Sequence, residues 1–184
     1  MGSGETFTLA SDHEAARAAA ERLFDRLRPE LAAVLPLSAE VLHVGATAIP
    51  GCLTKGDLDI LVRVASADFD EAEAVLGRRF ARNHGSTRTD GFAAFEDESR
   101  SPHLGIQLTA KGGTHDVFHR FADALRAGPG LVRRYNALKL AFDGRPMADY
   151  RAAKDAFVAE VLGVCGADAA AGRSRSGLEP GASA

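Results

Sequence analysis

Lysine is scarce in this chain. Of 22 basic side chains in 184 residues, only Lys55, Lys111, Lys139 and Lys154 are lysines, so 22 − 4 leaves 18 arginines. With 25 acidic residues the formal net charge is −3. That balance argues against an extended basic nucleic-acid surface but leaves room for a small, local phosphate site. Cysteine is scarcer still, and Cys52 and Cys165 lie far apart. A disulfide framework needs more cysteines and a zinc site needs clustered ligands, so two reduced, buried thiols are expected. No apolar run approaches the roughly 18 residues of a transmembrane helix. The opening MGSGETFTLASDHE has neither the basic nor the apolar region of a secretory signal. These absences make a cytoplasmic protein with no membrane contact the expectation.

The hydrophobic pattern predicts a helix over 11–35, with Leu23, Leu27, Leu31 and Leu35 at four-residue spacing and a Ser11–Glu14 capping box. Pro29 predicts a kink or break inside it. Strands are expected over 40–44 and 57–64, a helix capped by Ser66 over 66–83, and two strands over 91–97 and 103–109 joined by a hairpin loop. Helices over 114–127, 129–142 and 146–163 follow, with Pro129 and Pro146 suited to first helical turns. Strands grouped first and helices last predict an α+β domain: a mixed β-sheet with an N-terminal helix and a C-terminal helical segment. The expected boundaries are a flexible arm over 1–10, the domain over 11–165 and a disordered tail over 166–184.

Chemistry concentrates in HVGATAIPGCLTKGDLDILVRV, residues 43–64. Asp57 and Asp59, two apart on a strand, fall on one face of the sheet, opposite Leu58 and Ile60. Two ionised carboxylates so close repel each other, and a divalent cation such as Mg²⁺ relieves the repulsion. Gly45, Ala46 and Thr47 leave a strand for a turn where small residues let a phosphate approach backbone N–H groups. Lys55 is placed to pair with a carboxylate or a phosphate. Each feature alone also has a plain structural explanation.

Taken together, the strand, the G-A-T-A-I-P-G turn, Lys55 and D-L-D resemble the nucleotidyltransferase superfamily. More narrowly they are similar to the GrpB family, whose members carry G-S-T-A-x-P-G-x-x-x-K-x-x-x-D-I. Pro102-His103-Leu104 resembles that family's His-Leu strand, and Phe121 to Arg126 its F-R-D-x-L-R helix. Tyr135 to Lys139 resembles Y-x-x-L-K, and Tyr150 with Lys154 resembles Y-x-x-x-K. The likeness runs over about residues 40–160 and implies a nucleotidyltransferase-like fold.

The chain also departs from the pattern. Ala46 stands where superfamily enzymes usually have a phosphate-binding Ser. The strand expected to supply a third carboxylate reads HLGIQLT and offers His103, Gly105 and Gln107 instead. His103 is a candidate ligand or general base in its place. Asp90, Glu96, Asp97 and Glu98 sit on the preceding hairpin arm, and the sequence does not say whether any of them reaches the site. Tyr135 with Lys139, and Tyr150 with Lys154, share helix faces that could clamp a triphosphate together with Arg126, or could be solvated faces with Tyr packed under a Lys stem. His43 reads as a satisfied half-buried side chain, and His115 and His119 as a surface-helix pair. The resemblance implies a Mg²⁺-dependent nucleotidyltransferase acting on an NTP and an unknown acceptor. The alternative is a catalytically degenerate protein of the same fold that binds a nucleotide or another phosphate-bearing ligand. A helical interaction protein is the weakest reading, because core packing explains the amphipathic helices better.

Overall fold

The computed structural model describes residues 5–163; Cys165 and the tail expected over 166–184 lie outside the described residues. Helix α1 (His13–Ala32) begins at Asp12, whose carboxylate accepts a hydrogen bond from Ala15 N at 2.9 Å. Asp12, not Ser11, is therefore the cap. The helix runs unbroken through Pro29, which lies on its exposed side. There water can satisfy the backbone carbonyl that a proline leaves without its N–H partner.

Five strands follow as β1 (Glu40–Val44), β2 (Leu58–Val64), β3 (Ala81–Arg82), β4 (Phe92–Asp97) and β5 (Leu104–Ala110), in the sheet order β1-β2-β5-β4-β3. The β2–β5 pair is parallel and the other pairs are antiparallel, so the sheet is mixed, as expected. The helix expected over 66–83 is shorter. A 3-10 turn (Ser66–Asp68) leads into α2 (Phe69–Gly77), and residues 81–82 pair with β4 as the edge strand β3. Two residues are too few for alternation to show in a sequence. Ser66 does not cap the turn through its side chain.

The sheet is sandwiched between helices. Leu58, Ile60, Val62 and Val64 of β2 bury one face against Leu23, Leu27 and Leu31 of α1 and Phe69, Ala72 and Leu76 of α2. On the other face Val44 and Leu61 pack with residues of α3 (Phe118–Ala127), α4 (Pro129–Phe142) and α5 (Met147–Leu162). Pro129 is in the first turn of α4, whereas Pro146 is the residue before α5. Helix α3 starts later than the expected residue 114 because the preceding segment turns around a buried carboxylate. Asp116 accepts from Arg63 Nε and Nη2, each at 2.7 Å, and from Gly112 N at 2.9 Å. His115 thus lies outside the helix that carries His119.

Residues 5–10, expected to be flexible, are docked. Phe7 stacks on Tyr150 with ring centroids 3.7 Å apart, and its N–H and carbonyl bond Arg145 O and Gly144 N at 2.8 Å. Burial alone would raise the Asp116 pKa, but the Arg63 hydrogen bonds and the Gly112 N–H overcome it and hold the carboxyl down at about 2. Replacing Arg63 with Met strips that buried carboxylate of its guanidinium partner, and urea unfolding at pH 7 should show a loss of about 3 kcal/mol.

Candidate functional site

The site forms where β1 ends and β2 and β5 begin. Antiparallel pairing sets Val44 beside Asp59, so the chain leaves β1 at Gly45 directly over the Asp59 side chain. Gly45 has φ +74°, a left-handed conformation open to glycine, and a Cβ there would lie 2.2 Å from Asp59 Oδ2. On the other flank, parallel pairing sets Gly105 beside Asp59, and a Cβ on Gly105 would lie 3.3 Å from Asp59 Oδ1. The carboxylate therefore occupies a slot between two glycines. The next residues, Ala46–Ala48, form a 3-10 turn that follows Gly45. The first N–H groups of such a turn have no partner within it.

Asp57 sits just before β2. Lys55 Nζ is 2.7 Å from its Oδ2, and His103 Nδ1 is 3.9 Å from the same atom. The other ring nitrogen of His103 lies 4.0 Å from Glu96 Oε2. Glu96 pairs with Gly105, which pairs with Asp59, so Asp59, Gly105 and Glu96 form one row on one face. Gly105 has no side chain to fill the gap between the two acids. Glu96, Glu98 and His103 also bring their ligand atoms within 4.8 Å of one another. Strand β5 carries no acid on this face, and Glu96 is the acid of the same row on the neighbouring strand β4. Glu96 is one of four acids on the hairpin arm that the sequence offers, and the strand order singles it out by setting it beside Gly105.

Water exclusion raises the Asp59 pKa; Lys154 opposes the rise, Asp57 adds to it, and Lys55 and a Gln107 hydrogen bond oppose it. Two carboxylates on one face, one of them costly to keep charged, suit an oxygen-seeking divalent cation. Lys154 is half-buried, and its charge also acts on Lys139.

The remaining sequence candidates take different places. Lys139 is 2% exposed; its ammonium donates to Leu53 O at 2.5 Å and Cys52 Sγ at 3.2 Å, and lies 4.0 Å from the Tyr135 ring centroid. Burial pushes its pKa down to about 8. The Tyr135 hydroxyl meets that of Tyr150 at 3.2 Å, also buried. These groups lie beneath the β1–β2 loop rather than on a solvated helix face. Arg126 is exposed, donates to His43 O at 3.2 Å and Asp123 at 3.0 Å, and borders a cleft of about 590 Å³ with Ala48, Pro50 and Val132. The Thr47 hydroxyl donates to Asp57 O at 3.0 Å, which leaves His43 Nε2, also 3.0 Å away, as donor to it. The Thr47 side chain thus ties the turn to the start of β2.

Gly45→Ala should cost at least about 2 kcal/mol in chemical denaturation, because a side chain meets both the left-handed penalty and the Asp59 carboxylate. The His43 pKa is lowered to about 4, first by burial and then by Arg126 and Arg17. Its unfolded form takes a proton that the folded form resists, so stability is lost as pH falls from about 6.5 toward 4. With allowance for partial exposure, His43→Gln should remove about 2 kcal/mol of that loss, read from denaturation midpoints across the interval.

The family model described as GrpB protein matches residues 14–163. A UPF0157 protein of Vibrio cholerae serotype O1 is 35% identical over 164 residues, covering 89% of this chain and 85% of the relative. The crystal structure of the conserved protein GrpB from Enterococcus faecalis superposes with a TM-score of 0.60 at 19% identity, covering 82% of this chain and 92% of that one. A structure of the Cid1 poly(U) polymerase aligns with a TM-score of 0.49 at 16% identity, covering 72% of this chain and 42% of that one. The matching model spans most of the described residues, including both sides of the Asp59 slot, and this chain belongs to the GrpB family.

Proposed function

We propose that the chain is a Mg²⁺-dependent nucleotidyltransferase that moves a nucleotidyl group from an NTP to a hydroxyl acceptor. One observation carries this reading: the Gly45 turn lies against the Asp59 carboxylate, so a phosphate seated on the turn would border the acid face. Asp57 and Asp59 would hold Mg²⁺, with Glu96 nearby; the bound ion would neutralise charge on the phosphates. Backbone N–H groups of Ala46 and Thr47 would cradle phosphate oxygens. Lys55 and Lys154 would supply positive charge to the same face, with Arg126 as an outer cation.

His103, between Asp57 and Glu96, is suited to accept the acceptor's proton. The freed oxygen would attack the α-phosphorus, and the bond to the bridging oxygen would break to release pyrophosphate. Tyr135 and Lys139 enter this reading as supports beneath the loop, because their polar ends are already engaged.

With α-labelled NTPs, Mg²⁺ and a panel of hydroxyl acceptors, the wild-type chain should transfer label. Asp59→Asn should lower transfer by at least about 100-fold. Lys154→Met should weaken triphosphate binding about tenfold. Absence of any NTP binding would overturn the reading. Ala46, which has no hydroxyl for a phosphate, favours the second reading of a binding protein without turnover. Asp57-dependent NTP binding with no transfer to any acceptor would select it.

A further inference from the structure

The loop from Gly45 to Asp57 carries both halves of the proposed site, yet residues 49–57 contain no regular secondary structure. Side chains from two helices hold its shape. From α4, Asn136 accepts from Leu53 N and donates to Gly51 O, both at 2.8 Å, and Lys139 donates to Leu53 O. From α1, Arg17 reaches the turn itself. Its Nη1 donates to Thr47 O at 3.2 Å, to Ala46 O at 3.5 Å and to Ile49 O, and its Nη2 donates to Cys52 O at 3.1 Å. The Arg17 side chain is only 15% exposed, so these bonds form largely away from water.

We infer that Arg17 is the positioning residue of the phosphate-binding turn. The inference rests on the phosphate reading above. A guanidinium presents five N–H donors in a rigid fork, so one side chain can gather several carbonyls. With the carbonyls of Ala46, Thr47 and Ile49 drawn toward α1, the N–H groups at the start of the turn are directed to its opposite end. That end adjoins Gly45 and therefore Asp59. A lysine keeps the charge but cannot span the same carbonyls.

The test compares wild type with Arg17→Lys and Arg17→Met in three measurements: Mg²⁺ binding without nucleotide, binding of a non-hydrolysable NTP with Mg²⁺, and amide hydrogen exchange. Both variants should exchange the amides of 45–54 at least about tenfold faster while those of β2 and β5 keep wild-type protection. Triphosphate affinity should fall about tenfold, less for Lys than for Met, with Mg²⁺ affinity unchanged. A purely structural role would move metal and nucleotide binding together, or neither. If wild type binds the triphosphate and Arg17→Lys binds it equally well, or if loop exchange is unaltered, the positioning role is wrong. If wild type binds no triphosphate, the phosphate reading itself falls and this inference falls with it.

Discussion

The contact between the Asp59 carboxylate and the Gly45 backbone constrains everything around it. It arises from register: β1 and β2 pair antiparallel with Val44 beside Asp59, so the chain must leave β1 over that side chain. Only a residue without Cβ can make this exit, and the left-handed φ of Gly45 turns the chain into the 3-10 segment. Gly105 relieves the other flank, where β5 runs parallel to β2. An acid that water would solvate freely is thereby held in a slot, and its raised pKa records the cost of charging it there.

The surrounding charges are layered by depth. Lys139 lies deepest, satisfied by Leu53 O and Cys52, and shares out no charge that a solvent-borne ligand could reach without displacing those partners. Lys154 is half-buried and acts on Asp59 through its field. Lys55 is the outermost, paired with Asp57 at 2.7 Å. Burial therefore sorts three family-motif lysines into one structural support and two candidates for ligand charge.

Much of the fold could be read from the chain because period and punctuation are local signals. The leucine stripe of α1, the alternation in β2 and Pro129 at the start of α4 each carry their own evidence. The edge strand β3 and the late start of α3 could not, since a two-residue pairing and the Asp116–Arg63 bond depend on contacts distant in sequence. The site divides the same way. Asp57, Asp59 and Gly45 announced themselves by spacing and by resemblance. Glu96 needed the strand order, Arg17 needed the packing of α1 on the loop, and the burial of Lys139 needed α4 to lie beneath that loop.

The proposed chemistry requires a triphosphate on the Gly45 turn with a divalent ion at the neighbouring acids. A crystal structure of the chain with Mg²⁺ and a non-hydrolysable NTP tests it most directly. The expected result is an ion held between Asp57 and Asp59, with phosphate oxygens on the N–H groups of Ala46 and Thr47. A nucleotide bound elsewhere, or a turn with no phosphate beside a fully loaded protein, would contradict it.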